Sequence, residues 1–71
     1  MNSLEEAKRV GKRLKKLREK ARLTQAEVAK RAGIKSTNYY AVIERGEVVT
    51  KWPKLQKIAG ALEVDISEIL K

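Results

Sequence analysis

The stretch TQAEVAKRAGIKSTNYYAVIERG, residues 24–46, decides how the rest of the chain is read. Thr24 followed three residues later by Glu27 is a capping box, in which each side chain bonds the other's free backbone N–H. Ala26, Val28, Ala29 and Ala32 then recur at helical spacing. Gly33 is expected to stop that helix in a left-handed conformation, and Ile34 to reach back to the core. A second short helix should start at Ser36 or Thr37 and run to about Arg45, with Gly46 ending it. Its Tyr40 and Ile43 lie three apart and should face inward. That leaves an outward edge, Ser36-Thr37-Asn38-Tyr39, that is polar and carries no charge.

Working outward, a first helix is expected from about Leu4 to Ala21, opened by a capping box of Ser3 with Glu6. Leu4, Ala7, Val10, Leu14, Leu17 and Ala21 form its apolar stripe. Gly11 inside it reads as tolerated, at roughly 1 kcal/mol. Beyond Gly46, residues 47–52 read as a loop. Pro53 suits the first turn of a fourth helix, where a missing N–H costs nothing. Leu55, Ile58, Ala59 and Leu62 are that helix's apolar face. Asp65 with Glu68 reads as a third capping box, opening a short last helix with Ile66, Ile69 and Leu70. No strand-like alternation, linker, repeat or low-complexity tract interrupts the series. The expectation is all-α: five helices in one domain, residues 1–71.

Composition narrows the function. A chain of 71 residues holds one modest core, and Tyr39, Tyr40 and Trp52 are its only aromatics. With no Cys and no His, disulfides, the usual zinc sites and Cys- or His-based catalysis are excluded. No enzyme activity, metal or other cofactor is expected, and no small-molecule ligand. No apolar run approaches the ~18 residues of a membrane span, and the amphipathic N-terminus is no signal peptide. The net charge of +8 is uneven. Residues 1–23 carry nine Lys/Arg against three Glu, residues 24–46 four against two, and residues 47–71 four against four. That asymmetry points to a polyanion, or to a solubilising surface.

A helix that enters the DNA major groove presents short side chains near its N-terminus. Ser36, Thr37 and Asn38 meet that requirement. Asn can bond adenine with two hydrogen bonds, and Thr can offer a methyl to thymine. Val42, one turn on, suits a thymine methyl. Tyr39 and Lys35 flank the edge, within reach of phosphates. Singly, Ser36 reads as an N-cap and Asn38 as an exposed polar residue; together on a basic scaffold they favour base reading.

The whole chain resembles the lambda-repressor-like helix-turn-helix family, the Cro/C1 or XRE-type regulators. LKKLREKARLTQAEVAKRAGI at 14–34, IERGE at 43–47 and LQKIAGALEVDISEIL at 55–70 carry the resemblance. It implies five helices, with helices 2 and 3 as the helix-turn-helix and helix 3 in the major groove of double-stranded DNA. By position it makes Ser36, Thr37, Asn38 and Val42 base readers, and Tyr39 on the same edge is counted with them as a base-reading candidate. Thr24 and Gln25 fall where helix 2 contacts a phosphate, and Gln25 can also brace the reading helix. Lys35 joins them, with Thr50, Lys51 and Lys54 where the family's chain follows the DNA backbone. Arg18 and Glu44 match a salt bridge that sets the angle of helix 3.

Three departures from the family pattern stand out. Gly33 to Ile43 is one residue longer than usual, the extra residue falling near Lys35. The loop from Gly46 to Pro53 is long and carries Val48, Val49 and Trp52. Trp52 is expected as a lid on helices 3 and 4, or with both valines as a dimer contact. Glu63 stands where the family usually ends a helix with Gly.

The resemblance therefore implies a repressor-like, non-catalytic, sequence-specific DNA binder. The competing expectation is a helix-turn-helix fold used as a protein-binding antitoxin or adaptor. Clean caps, Lys-rich surfaces and the lack of an effector domain suit an isolated natural domain. They suit a designed binder on this scaffold as well, and tilt the reading that way. A natural domain is expected to be a cytoplasmic, nucleoid-associated homodimer on half-sites about one DNA turn apart; an engineered one is expected to be a monomer.

Overall fold

The computed structural model describes residues 3–71, with nothing of the Ser3 side chain. Five helices follow in order: α1 Ser3–Lys20, α2 Gln25–Arg31, α3 Thr37–Glu44, α4 Trp52–Leu62 and α5 Ile66–Leu70. No strand occurs among the described residues. α1 packs on α3 and α5, α2 on α3 and α4, and α4 on α5. Leu14, Val28, Tyr40, Ile43, Ile58 and Ile69, all but sealed from solvent, fill the centre. Burial of such apolar side chains supplies about 1.5–3 kcal/mol each, the main favourable term for a domain of this size.

Helix starts follow the caps. Thr24 and Glu27 form the full reciprocal box at α2. Ser36 caps α3, its hydroxyl accepting the Tyr39 N–H at 3.2 Å, so α3 begins at Thr37. Asp65 caps α5 through the Ser67 N–H, not through a box. The expected partner, Glu68, turns its carboxylate to Arg13 and Lys71 instead. An opposite charge outcompetes a neutral backbone N–H for that carboxylate. The expected Ser3–Glu6 box lies outside the described residues.

Helix ends share one device. After each of the first four helices the chain makes the paired backbone bonds of a Schellman turn. In each, one residue beyond the helix is left-handed: Arg22 (φ 60°), Gly33 (φ 74°), Gly46 (φ 71°) and Glu63 (φ 58°). The following Leu23, Ile34 and Val64 pack against the core. Glycine takes that conformation freely, whereas Arg22 and Glu63 hold it against their own Cβ.

The apolar stripes are narrower than the spacing suggested. Ala7 and Leu14 are buried, with Val10 and Leu17 against the core, but Leu4 and Ala21 at the ends of α1 overhang it and are exposed. Ala26 also faces out, because Val28, Ala29 and Ala32 already fill the contact α2 makes. Gly11 is more than tolerated. A Cβ there would run into the main-chain carbonyl of Glu44, so α1 lies directly on the end of α3. Gly46 makes the matching approach to the backbone of Lys8.

Two substitutions should therefore move stability against intuition. Gly11→Ala raises helix propensity, yet the clash should lower stability by about 1–3 kcal/mol net. Glu63→Gly removes left-handed strain and should add about 1 kcal/mol, a melting-temperature rise of about 4–8 °C. Thermal denaturation by circular dichroism reads both, and a stabilised Gly11→Ala would refute the close helix crossing.

Candidate nucleic-acid interface

The outward edge of α3 is held by a charge network behind it. Glu44, at the inner end of α3, is buried although ionisable. Arg18 of α1 meets its carboxylate with two hydrogen bonds, Nε to Oε2 at 2.6 Å and Nη2 to Oε1 at 3.2 Å. A third bond from Arg18 reaches the Leu23 carbonyl at 2.9 Å, just before α2. Gln25 Nε2, in the first turn of α2, donates to Glu44 Oε1 at 3.0 Å. The Tyr40 hydroxyl is buried close by, without a partner at hydrogen-bonding geometry. Three helices thus converge on one carboxylate.

The titration behaviour follows from that convergence. Burial would raise the Glu44 pKa, but hydrogen bonds from Arg18 and Gln25 and the nearby Tyr40 hydroxyl hold it below the usual carboxylate value. The hydrogen bond to Glu44 raises Arg18 further. Burial, with Glu44 beside it, pushes the Tyr40 hydroxyl well up, so Tyr40 stays neutral.

On the solvent side, Ser36, Thr37, Asn38 and Tyr39 are exposed and Val42 is half-buried. Ser36 spends its acceptor on the cap. Tyr39 is engaged too: the Lys54 ammonium of α4 lies 4.7 Å from its ring centre, a cation–π contact. Lys35, Lys54 and Lys57 border one depression with Ser36 and Tyr39 at the start of α3. Lys30 and Lys35 border a neighbouring one with Thr37. Lys30 and Lys57 escaped the sequence reading. Lys57 lies three residues after Lys54 on α4, a spacing that places both on one side of that helix.

The other candidates are distributed differently. Thr24 gives its backbone N–H to the Glu27 carboxylate at 2.8 Å and accepts the Glu27 N–H at 3.1 Å. Only its hydroxyl proton remains for an anion, with a carboxylate beside it. Gln25 has one amide N–H left after Glu44. Lys51 is exposed, at the cap position of α4. Thr50 is half-buried and lines an apolar depression with Val10, Val48, Val49, Leu55 and Leu70, apart from the lysine-lined one. Val48 packs against the core, while Val49 stays exposed. Trp52 does not form a lid. α4 begins at Trp52 itself, and 52% of its surface remains exposed.

No group of three or more metal-ligating side chains occurs among the described residues, and none of their helices is long and apolar enough to cross a membrane. What the structure builds is a small helical module that fixes one short helix by a buried ion pair and sets lysines around that helix's start. Residues 9–70 match the family model of the helix-turn-helix domain, and the chain belongs to that family. It is 38% identical over 61 residues to the immunity repressor protein of Bacillus phage phi105. The match covers 86% of this chain and 42% of that relative, so the chain spans less than half the relative's length.

The network gives a pH-dependent expectation. Because Glu44's pKa is lowered on folding, its contribution is present above its unfolded value of 4.5 and is lost as pH falls through the folded one. Glu44→Gln should flatten that acid limb. Arg18→Met, which strands a buried carboxylate, should cost about 3–5 kcal/mol near neutral pH. Urea denaturation from pH 7 downward checks both, and an unchanged acid limb in Glu44→Gln would show that other carboxylates set it.

Proposed function

We propose that this chain binds double-stranded DNA sequence-specifically, with α3 in the major groove, as a repressor-like module without catalysis. The observation that carries the reading is the locking of α3 by Arg18, Glu44 and Gln25 with its polar N-terminal edge turned to solvent. The family membership and the likeness to a phage immunity repressor support it. Thr37, Asn38 and Val42 read bases in this scheme. Ser36 contributes mainly as the cap, and Tyr39 mainly as the platform that steadies Lys54. Lys35, Lys51 and Lys54, joined by Lys30 and Lys57, hold phosphates on either side. Thr24 and Gln25 add hydroxyl and amide donors at the start of α2, while Thr50 is the weakest of the phosphate candidates.

The physical division of labour is simple. Lysines are point charges that displace counterions from the backbone and supply affinity without sequence information. Short polar side chains on a rigid helix discriminate bases through hydrogen bonds and methyl contacts. A loosely held helix would blur that discrimination, which gives the Arg18–Glu44–Gln25 network a positioning role. The proposed action is in the compartment that holds the DNA, by one copy or by a two-fold pair on adjacent half-sites.

Selection from a randomised duplex library should return a defined site, and a palindrome in it would show the two-fold pair. Asn38→Ala should cost about 1–3 kcal/mol at one base position and relax preference there. Lys51→Ala should weaken binding evenly across sequences and lower the salt slope by roughly one. Failure of the parent chain to retard random duplex in a gel at low salt would sink the DNA reading and favour a protein-binding adaptor.

A further inference from the structure

The charge of α1 is not accounted for by the reading face. Nine of the 17 Lys/Arg lie in residues 1–23, yet α1 meets the C-terminal end of α3, through Gly11 on the Glu44 carbonyl, Lys8 beside Gly46 and Arg18 on the Glu44 carboxylate. Arg18 is consumed by Glu44, and Arg13 pairs with Glu68 at 3.2 Å on the α5 side. Of the seven that remain, Arg9, Lys12, Lys16 and Lys20 are exposed at spacings of three, four and four. That spacing makes one row on the solvent side of the helix. The row's core-facing counterparts are Ala7 and Leu14, which are buried.

The row has the properties of a surface kept for a polyanion. Among the described residues Lys12, Lys16 and Lys20 form no ion pair, and Arg9 makes a long one to Glu6, at 3.9 Å. Like charges four apart on a helix repel one another, and no Glu stands between Arg9 and Arg18 to offset them. Arg9, Lys12 and Lys16 border one open depression with Arg13 and Lys71, both of which are paired with Glu68. From Arg9 to Lys20 the axis rises about 17 Å. Over that length the row's four cations can meet at most four backbone phosphates. It offers point charges and no short hydrogen-bonding side chain, the chemistry of backbone contact without base reading.

We propose that this row is a second DNA-contact surface, binding the sugar-phosphate backbone of a duplex other than the one α3 reads. One molecule then bridges two DNA segments. The inference rests on the proposed DNA reading of α3, but its failure is separable from failure of that reading.

The test mixes donor-labelled and acceptor-labelled short duplexes with the full chain at low salt and reads energy transfer between them. The variant is Lys12→Gln with Lys16→Gln and Lys20→Gln. These sites are exposed and Gln keeps helix propensity, so a melting curve should show an intact fold. The parent should give transfer, and the triple variant should lose it by about tenfold, since three phosphate contacts vanish from the second surface. Its binding to a single duplex should keep the parent's salt slope. Undiminished transfer in the variant overturns the proposal, because the bridge would then run through another surface. A salt slope lower by roughly three on a single duplex also overturns it, by placing the row on the duplex α3 reads. A parent that binds single duplex without any transfer overturns bridging alone, whereas no single-duplex binding at all overturns the reading of α3 as well.

Discussion

The Glu44 carboxylate is the point on which the arrangement depends. It is a buried anion, and alone there it would cost several kcal/mol. Arg18, Gln25 and the nearby Tyr40 hydroxyl make it tenable, and each comes from a different position in the chain. In satisfying one charge the protein fixes α1, the start of α2 and the end of α3 against one another. An apolar residue of similar volume could fill the same space, but it would not dictate a direction. The bidentate Arg18 contact does, because a guanidinium and a carboxylate meet in one plane.

Close backbone approach makes that geometry reachable. Arg18 can lie on Glu44 only because α1 comes down on the end of α3 at Gly11, with Gly46 answering at Lys8. The two glycines have different tasks. Gly46 also supplies the left-handed turn that ends α3, while Gly11 sits in regular helix and is needed solely for space. Around this contact, four Schellman turns set helix lengths and send Leu23, Ile34 and Val64 back into the core. Positioning of α3 is thus shared among an ion pair, a steric fit and a set of caps.

The basic residues separate by what surrounds them. Arg18 is structural and nearly enclosed; Arg13 ties α1 to α5. Lys35, Lys54 and Lys57 gather round the start of α3, where Tyr39 holds one of them in place. The α1 row faces another way, and among the described residues its three lysines form no ion pair. A single net charge of +8 therefore stands for three different physical roles, and only the surroundings of each cation tell them apart.

Much of this was legible in the sequence, for a physical reason: caps, left-handed turns and apolar periodicity are local rules. They gave five helices, the Thr24–Glu27 box, the stops at Gly33 and Gly46 and the inward Tyr40 and Ile43. The register of the polar edge of α3 also follows from local chemistry, once Ser36 is recognised as its cap. What needed the tertiary structure was everything that depends on a partner far along the chain. Glu68 abandons its local box because Arg13 arrives from α1, and Gly11 proves indispensable because Glu44 lies against it. Lys57 joins Lys35 only when α4 packs beside the turn before α3, and Trp52, expected as a lid, is left exposed by the place where α4 begins. Local propensity sets which segments are helical; the meeting of charges and backbones across helices decides which side chains are left to act.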